Sequence, residues 1–360
     1  MRLEWGARFG LVVGSIFLSL VMLELGCRAW RGDGWLFDWT NLTTVGGRHD
    51  QDTTEGRYSY DPLLGAVPTP FFSSPVVTYD DNGQRVTPML RPGDGPRILA
   101  AGDSFTEGDE VAGDQTWPAY LEQRLGRRTF NAGVNGYGFD QIVLRTEQQA
   151  AAMRPSVIVV SFMTDDLQRS EWRRLWGVNK PYFELDTNGE LVLRNVPVPP
   201  RPESPIVPTM WHRLFGWSVV LEIAMRRLGQ HEMWLGDRAR GTPRGTGERL
   251  ACPLVNRLAR LGVPTLLVAQ YSSRLWSGST AKQSAAHRTS QQVLACAAAA
   301  GLATLDTWDA VEKVARDDVE TIYLDMHHSA QGNRLIAEAI ATKLAGWEEA
   351  MDKLRKLEEK

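Results

Sequence analysis

The sequence predicts an α/β protein: a parallel, doubly wound sheet of five strands with helices on both faces, behind an N-terminal transmembrane helix. Three observations predict it. Short apolar runs of strand length alternate with helical stretches over about 250 residues. The central run, Ser156 to Phe162 (SVIVVSF), is β-branched and nearly all apolar, as a strand buried on both faces must be. One long apolar stretch opens the chain between basic residues.

The strands can be placed in order. Arg97 to Ala101 is a short apolar strand, and 117–125 reads as a helix. Thr129-Phe130-Asn131 is a strand into a Gly-rich loop, followed by a helix over 141–153. The central strand comes next. A helix over 249–261, a strand over 264–271 (PTLLVAQY), a helix over 290–300, a strand over 303–305 and a helix over 329–345 complete the pattern. Parallel neighbours need a crossover, so this alternation implies a parallel sheet, with functional loops at the carboxyl ends of the strands.

The N-terminal run, Phe9 to Gly26, is apolar apart from Ser15, Ser19 and Glu24. Its length is near the lower limit for a spanning helix, and Glu24 lies near its far end, where it can reach the interface. A cleaved signal peptide wants small residues before the cut, which Glu24-Leu25-Gly26 supplies badly. A lipoprotein site at Cys27 suffers from the same residues. An uncleaved, single-pass signal anchor is the favoured reading. Arg2 and Arg8 on one side balance Arg28 and Arg31 on the other. The short positive tail resembles an export signal, so the bulk of the chain is expected outside the cytoplasm, in the periplasm.

The organisation expected is an anchor over 1–31, a loop-rich segment over 32–95, a catalytic domain over 96–348 and a charged helical tail over 349–360. Residues 168–247 are too long for a crossover and read as an inserted subdomain. It holds a hairpin over 182–193 around Thr187-Asn188-Gly189, a Pro-rich link, a helix over about 211–228 and a Gly-rich loop over 241–247. Composition is ordinary, at 43% hydrophobic and 23% charged. A net charge of −3, with no long basic run, gives no reason to expect nucleic acid as a partner. Thirteen tryptophans mostly fill cores, though their faces also suit sugar rings. Of three cysteines, Cys252 and Cys296 lie in helical stretches. Buried free thiols are the favoured reading, with a disulfide as the alternative in an oxidising compartment.

Four elements at the ends of four strands carry chemistry. Gly102-Asp103-Ser104 follows the first sheet strand, where a serine on a strand-to-helix turn is exposed and its own N–H can face an oxyanion. Asp325-Met326-His327-His328 precedes the last helix. Asp325 can orient His328 as base toward Ser104, while His327 takes a structural role such as capping that helix. Asn131 to Gly138 is a Gly-rich loop able to offer an N–H, from Gly136, to an oxyanion. Met163-Thr164-Asp165-Asp166 ends the central strand. Each piece alone is common by chance; their convergence is not.

On these motifs the chain resembles the GDSL/SGNH-type serine hydrolases, as a membrane-anchored, bacterial-type member. Gly102-Asp103-Ser104 matches the first block, Gly136 the second-block glycine, and Asp325 with His328 the final Asp-x-x-His, followed by Gly332. The resemblance covers Arg97 to about Ala345 outside the insertion. It implies a three-layer, flavodoxin-like fold and acyl-ester hydrolysis or transfer, often of acetyl on carbohydrate, with no metal or cofactor. The third block departs from the family pattern Gly-x-Asn-Asp, because Met163 and Asp165 stand at the Gly and Asn positions. An ionised carboxylate there would repel an oxyanion. Either burial keeps Asp165 protonated, or Thr164 or backbone N–H groups donate instead, or the site binds without turnover. The expected function is an esterase or O-acyltransferase acting on an acyl ester, acetyl foremost, of a cell-envelope glycan or lipid-linked substrate. The alternative is a non-catalytic binding or assembly protein for polysaccharide export or modification.

Overall fold

The computed structural model describes residues 2–31, 39, 56–87, 96–175, 178–200, 209–230, 233–234, 239–276 and 278–358. Much of the expected loop-rich segment 32–95, and part of the Pro-rich link, lie outside the described residues. The chain forms two compact units, one made of 1–53 and 202–239, the other of 54–201 and 240–360. The stretch 168–247 is therefore shared between them rather than forming one inserted subdomain.

The larger unit begins with a hairpin of β1 (Tyr58–Asp61) and β2 (Gly65–Pro68). Its centre is a five-stranded sheet built from β3 (Ile98–Ala101), β4 (Thr129–Asn131), β5 (Val157–Phe162), β10 (Thr265–Ala269) and β11 (Ala303–Asp306). The order is β11-β10-β5-β3-β4, with every neighbouring pair parallel. Between β5 and β10 come a small two-stranded pair, β6 (Arg174–Leu175) with β7 (Val178–Asn179), and the expected hairpin, β8 (Tyr182–Leu185) with β9 (Leu191–Arg194).

Strand periodicity divides the core into two layers. Leu99, Ile158, Val160, Phe162 and Leu267 face one side, against helices Phe139–Met153, Thr246–Ala259 and Thr280–Ala299. Ile98, Val157, Val159, Leu266 and Val268 face the other, against Trp117–Leu125, Trp308–Ala315 and Ala330–Glu358. All six residues of β5 are buried, which is why its sequence carries no polar alternation. The open edge of β4 is partly covered, because the Arg85 N–H donates to the Asn131 carbonyl at 2.9 Å. The three-layer α/β expectation is met.

Cys252 and Cys296 are joined as a disulfide, correcting the preference for free thiols. The two helices that carry them pack side by side on one face of the sheet, and this brings the Cα atoms to 5.4 Å. Sequence periodicity alone does not show that approach.

In the smaller unit the N-terminal helix runs from Arg2 to Arg31, and its stretch Arg8–Trp30 is long and apolar enough to cross a membrane. The helix expected over 211–228 is broken in two, Met210–Phe215 and Val219–Arg227, because Ser218 turns out of the first to cap the second. Glu24 is buried and does not reach outward. Its carboxylate accepts from the Ser218 hydroxyl at 2.8 Å and the Val219 and Val220 N–H groups at 2.8 and 3.2 Å. It also pairs with Arg28 at 2.8 Å. The carboxylate thus meets the free donors and positive dipole end of a helix N-terminus.

Candidate active site

Ser104 opens a short helix, Ser104–Glu107, directly after β3. Asp103 caps that helix by accepting the Phe105 N–H at 3.0 Å. The turn demands glycine before it. A Cβ on Gly102 would stand 2.1 Å from the Thr106 hydroxyl oxygen and 2.5 Å from that of Ser161, and those two oxygens already hydrogen-bond at 2.6 Å. This tight packing against β5 holds the serine at the sheet's carboxyl edge.

The imidazole that meets Ser104 belongs to His327, not His328. The distance from Ser104 Oγ to His327 Nε2 is 2.8 Å, and His327 Nδ1 lies 2.9 Å from Glu110 Oε1. The network assigns the tautomer: Nδ1–H donates to the carboxylate, leaving Nε2 to accept from the serine hydroxyl. Glu110 Oε2 also lies 3.4 Å from the Met326 and His327 N–H groups. Glu110 holds this place with φ +72°, an uncommon backbone conformation for a residue with a side chain.

His328 points the other way. The segment from Tyr323 to His328 folds back on itself as an antiparallel bridge, and neighbours in extended chain face opposite sides. His328 is 1% exposed, packed edge-on against Phe105 with ring centres 4.9 Å apart and tilted against Tyr323 at 5.0 Å. Neither of its ring nitrogens has a hydrogen-bond partner among the described residues. Burial foremost, with the neighbouring His327 imidazole adding to the effect, pushes its pKa down to about 3, so the ring is neutral. The helix that follows takes its cap from Ser329, whose hydroxyl accepts the Gly332 N–H at 3.1 Å, and not from a histidine.

Asp325 is exposed, and no described hydrogen bond joins its carboxylate to either imidazole. Its backbone carbonyl instead accepts from the Ser273 hydroxyl at 3.1 Å. Glu110 takes the place expected of Asp325, and the sequence holds little sign of it. Glu107, Asp109 and Glu110 all follow Ser104 closely, and no spacing rule singles one out.

The third block also differs from expectation. Asp165 is exposed and Thr164 half-buried, at the start of helix Thr164–Arg169. The burial invoked to protonate Asp165 falls on Asp166 instead. Asp166 accepts the Met163 N–H at 2.8 Å and pairs with Arg169 at 2.8 Å. Burial first, and the nearby Asp103 charge second, hold its pKa well above the usual carboxylate range. Arg169 also reaches Asp103 Oδ2 at 3.3 Å and the Tyr137 carbonyl at 3.2 Å. One guanidinium thereby ties three loops together around Ser104.

The Gly-rich loop lies alongside. Gly136 has φ +76°, a conformation that favours glycine, and it is buried. The loop is pinned by Glu107, which accepts the Asn135 N–H at 2.7 Å. Glu107 is itself fully buried, held by Arg57 at 3.1 Å and by the Tyr58 and Tyr79 hydroxyls. Among the described hydrogen bonds none uses the N–H of Ser104 or of Gly136. No group of three His, Cys, Asp or Glu residues among the described residues is placed to hold a metal ion.

A serine on a strand-to-helix turn, bonded to an imidazole that a carboxylate orients, defines the class of α/β serine hydrolases. The sequence model of the GDSL-like Lipase/Acylhydrolase family matches residues 100–335, and the chain belongs to this family of ester-hydrolysing serine enzymes. No curated protein matches it in sequence. Similar solved structures include Axe2, an acetylxylan esterase from Geobacillus stearothermophilus, at 16% identity and TM-score 0.41, covering 70% of this chain and 94% of that one. An alpha/beta hydrolase from the metagenome of Lake Arreo, Spain, aligns at 13% identity and TM-score 0.42, covering 69% and 94%. A member of the lipolytic protein G-D-S-L family from Veillonella parvula DSM 2008 aligns at 12% identity and TM-score 0.39, covering 68% and 96%.

Proposed function

We propose that the protein is a membrane-anchored esterase or O-acyltransferase in which Ser104 is the nucleophile, His327 the general base and Glu110 the carboxylate that orients it. The continuous contact Ser104–His327–Glu110 carries this reading. As Ser104 Oγ bonds to the acyl carbon, its proton passes to His327 Nε2. The tetrahedral intermediate collapses, the bond to the leaving oxygen breaks, and His327 returns the proton to that oxygen. Water or a hydroxyl acceptor then gives its proton to His327 and attacks the acyl-serine. The second tetrahedral intermediate collapses, the bond from the acyl carbon to Ser104 Oγ breaks, His327 returns its proton to Oγ, and free acid or a new ester leaves.

The N–H groups of Ser104 and Gly136 are the proposed oxyanion donors, with the Thr164 hydroxyl as a third. Asp165 stands exposed where the family pattern has Asn, so this corner of the site loses an amide donor. Such a loss corresponds to about 2.7–4 kcal/mol of transition-state stabilisation. Asp165 is also the observation that favours the second reading, a site retained for binding without turnover.

The proposed substrate is an acyl ester, acetyl foremost, on a cell-envelope glycan or lipid-linked acceptor. The proposed location is the outer side of the cytoplasmic membrane. The apolar helix Arg8–Trp30 supports anchoring, and the disulfide Cys252–Cys296 suits an oxidising compartment. Met210, Trp211, Leu214 and Phe215 are exposed on the short helix of the same unit as the anchor, and suit a membrane interface. The first experiment is fluorophosphonate labelling of the full chain beside Ser104→Ala. Labelling abolished by the substitution supports an activated serine. No labelling of folded protein anywhere between about pH 5 and 9 favours the binding reading.

A further inference from the structure

We propose that the cavity at the carboxyl ends of β5 and β10 is a saccharide subsite, in which the amide of Gln270 reads two adjacent ring hydroxyls. The inference rests on the glycan-ester reading above. The cavity has a volume of about 200 Å³; the polar Thr164, Asp165, Gln270, Ser272 and Arg274 wall it together with Tyr271 and the apolar Met163 and Leu275. Gln270 follows β10 directly, and its backbone N–H donates to the Phe162 carbonyl at 2.9 Å, which fixes it beside the end of β5. It is 1% exposed, yet neither its Nε2 nor its Oε1 has a partner among the described residues. Buried amides are ordinarily satisfied on both atoms, so an unpartnered one lining a cavity marks a place for a polar ligand.

The chemistry of the walls selects the ligand. An acyl chain could lie against Met163 and Leu275 but would leave the Gln270 amide unpaired. A carboxylate could pair with Arg274 but would use only the amide N–H atoms and leave Gln270 Oε1 without a donor. Two neighbouring hydroxyls of a sugar satisfy both ends of the amide, one accepting from Nε2 and one donating to Oε1. Ser272 and Thr164 offer further hydroxyl partners.

The cavity lies at the ends of strands neighbouring the one that leads into Ser104. Thr164 and Asp165 form one wall and stand at the third-block positions. Ser273, between the lining residues Ser272 and Arg274, donates its hydroxyl to the Asp325 and Met326 carbonyls at 3.1 and 3.4 Å, within the turn that carries His327. The Tyr271 hydroxyl donates to Asp306 at 2.8 Å, which fixes that residue beside Gln270. A sugar in this cavity would carry its acyl group toward the next strand end, where Ser104 lies.

The test is saturation-transfer NMR on full-length protein in lipid nanodiscs, with methyl β-D-glucopyranoside and its 2-, 3- and 4-deoxy analogues as probes. The expected result is binding of the parent glycoside and about tenfold weaker binding when either hydroxyl of one adjacent pair is removed, in line with the cost of leaving a buried hydrogen-bonding group unpaired. Gln270→Met and Gln270→Glu are expected to abolish that dependence on the pair. Absence of glycoside binding by the wild-type protein overturns the proposal, as does equal binding of all deoxy analogues. Because the wild-type series needs no folded variant, the outcome does not depend on tolerance of the substitutions. Binding needs no turnover, so saccharide binding without fluorophosphonate labelling would sink the esterase reading and leave the subsite standing.

Discussion

Glu110 and His327 lie 217 residues apart in the chain, and their side chains meet at 2.9 Å through Oε1 and Nδ1. The contact fixes the imidazole so that Nε2 faces the Ser104 hydroxyl at 2.8 Å. The carboxylate comes from the loop after the serine's own helix, while the histidine comes from the turn before the last helix. Each then steadies the other across the mouth of the site.

Removing the orienting carboxylate should therefore slow the reaction without abolishing the nucleophile. Glu110→Gln is expected to lower kcat/KM by about 10²–10⁴-fold, the range for a histidine left without its tautomer-fixing partner. Asp325→Ala, at an exposed side chain, should change it by less than about threefold. Steady-state kinetics on an aryl acetate checks both. The opposite ranking would return the orienting role to Asp325.

The two neighbouring histidines should behave oppositely. His327→Ala is expected to abolish fluorophosphonate labelling of Ser104, measured by intact-mass spectrometry. His328→Phe keeps an aromatic ring between Phe105 and Tyr323 and should label at a rate near that of the wild type. Loss of labelling in a folded His328→Phe protein would refute the assignment of the base.

His328 should also make stability depend on pH. Its folded pKa, held down to about 3 by burial, lies below the unfolded value near 6.5. Between these values the unfolded chain binds the extra proton, so stability falls as pH falls through that window. This contribution is complete above pH ~6.5 and declines by up to about 1.4 kcal/mol per pH unit below it. Thermal unfolding of wild type and His328→Phe across pH 4 to 7 should show a shallower slope in the variant, in proportion to this one lost titration.

The Cys252–Cys296 bridge predicts a redox signature. Replacing both cysteines with serine should lower stability by about 2–4 kcal/mol, the usual contribution of a disulfide closing a loop of this size. Peptide mapping without reduction should recover the two cysteines as one linked pair. Two free thiols in protein isolated from its membrane would contradict the pairing and weaken the extracytoplasmic placement.

The sequence by itself determined the α/β sheet, the N-terminal apolar helix and the serine on its turn. These features are local or periodic: a strand buried on both faces must read apolar throughout, and a Gly-Asp-Ser turn can be seen where such a strand ends. The tertiary structure alone decided which histidine meets Ser104. His327 and His328 are chemically identical neighbours, and only the fold-back of the segment from Tyr323 to His328 sends one toward the serine and the other into the core. Glu110 over Asp325, Asp166 over Asp165 as the buried acid, and the pairing of Cys252 with Cys296 were decided in the same way. Each depends on the direction of a side chain across a long loop closure, and neither composition nor spacing encodes that direction.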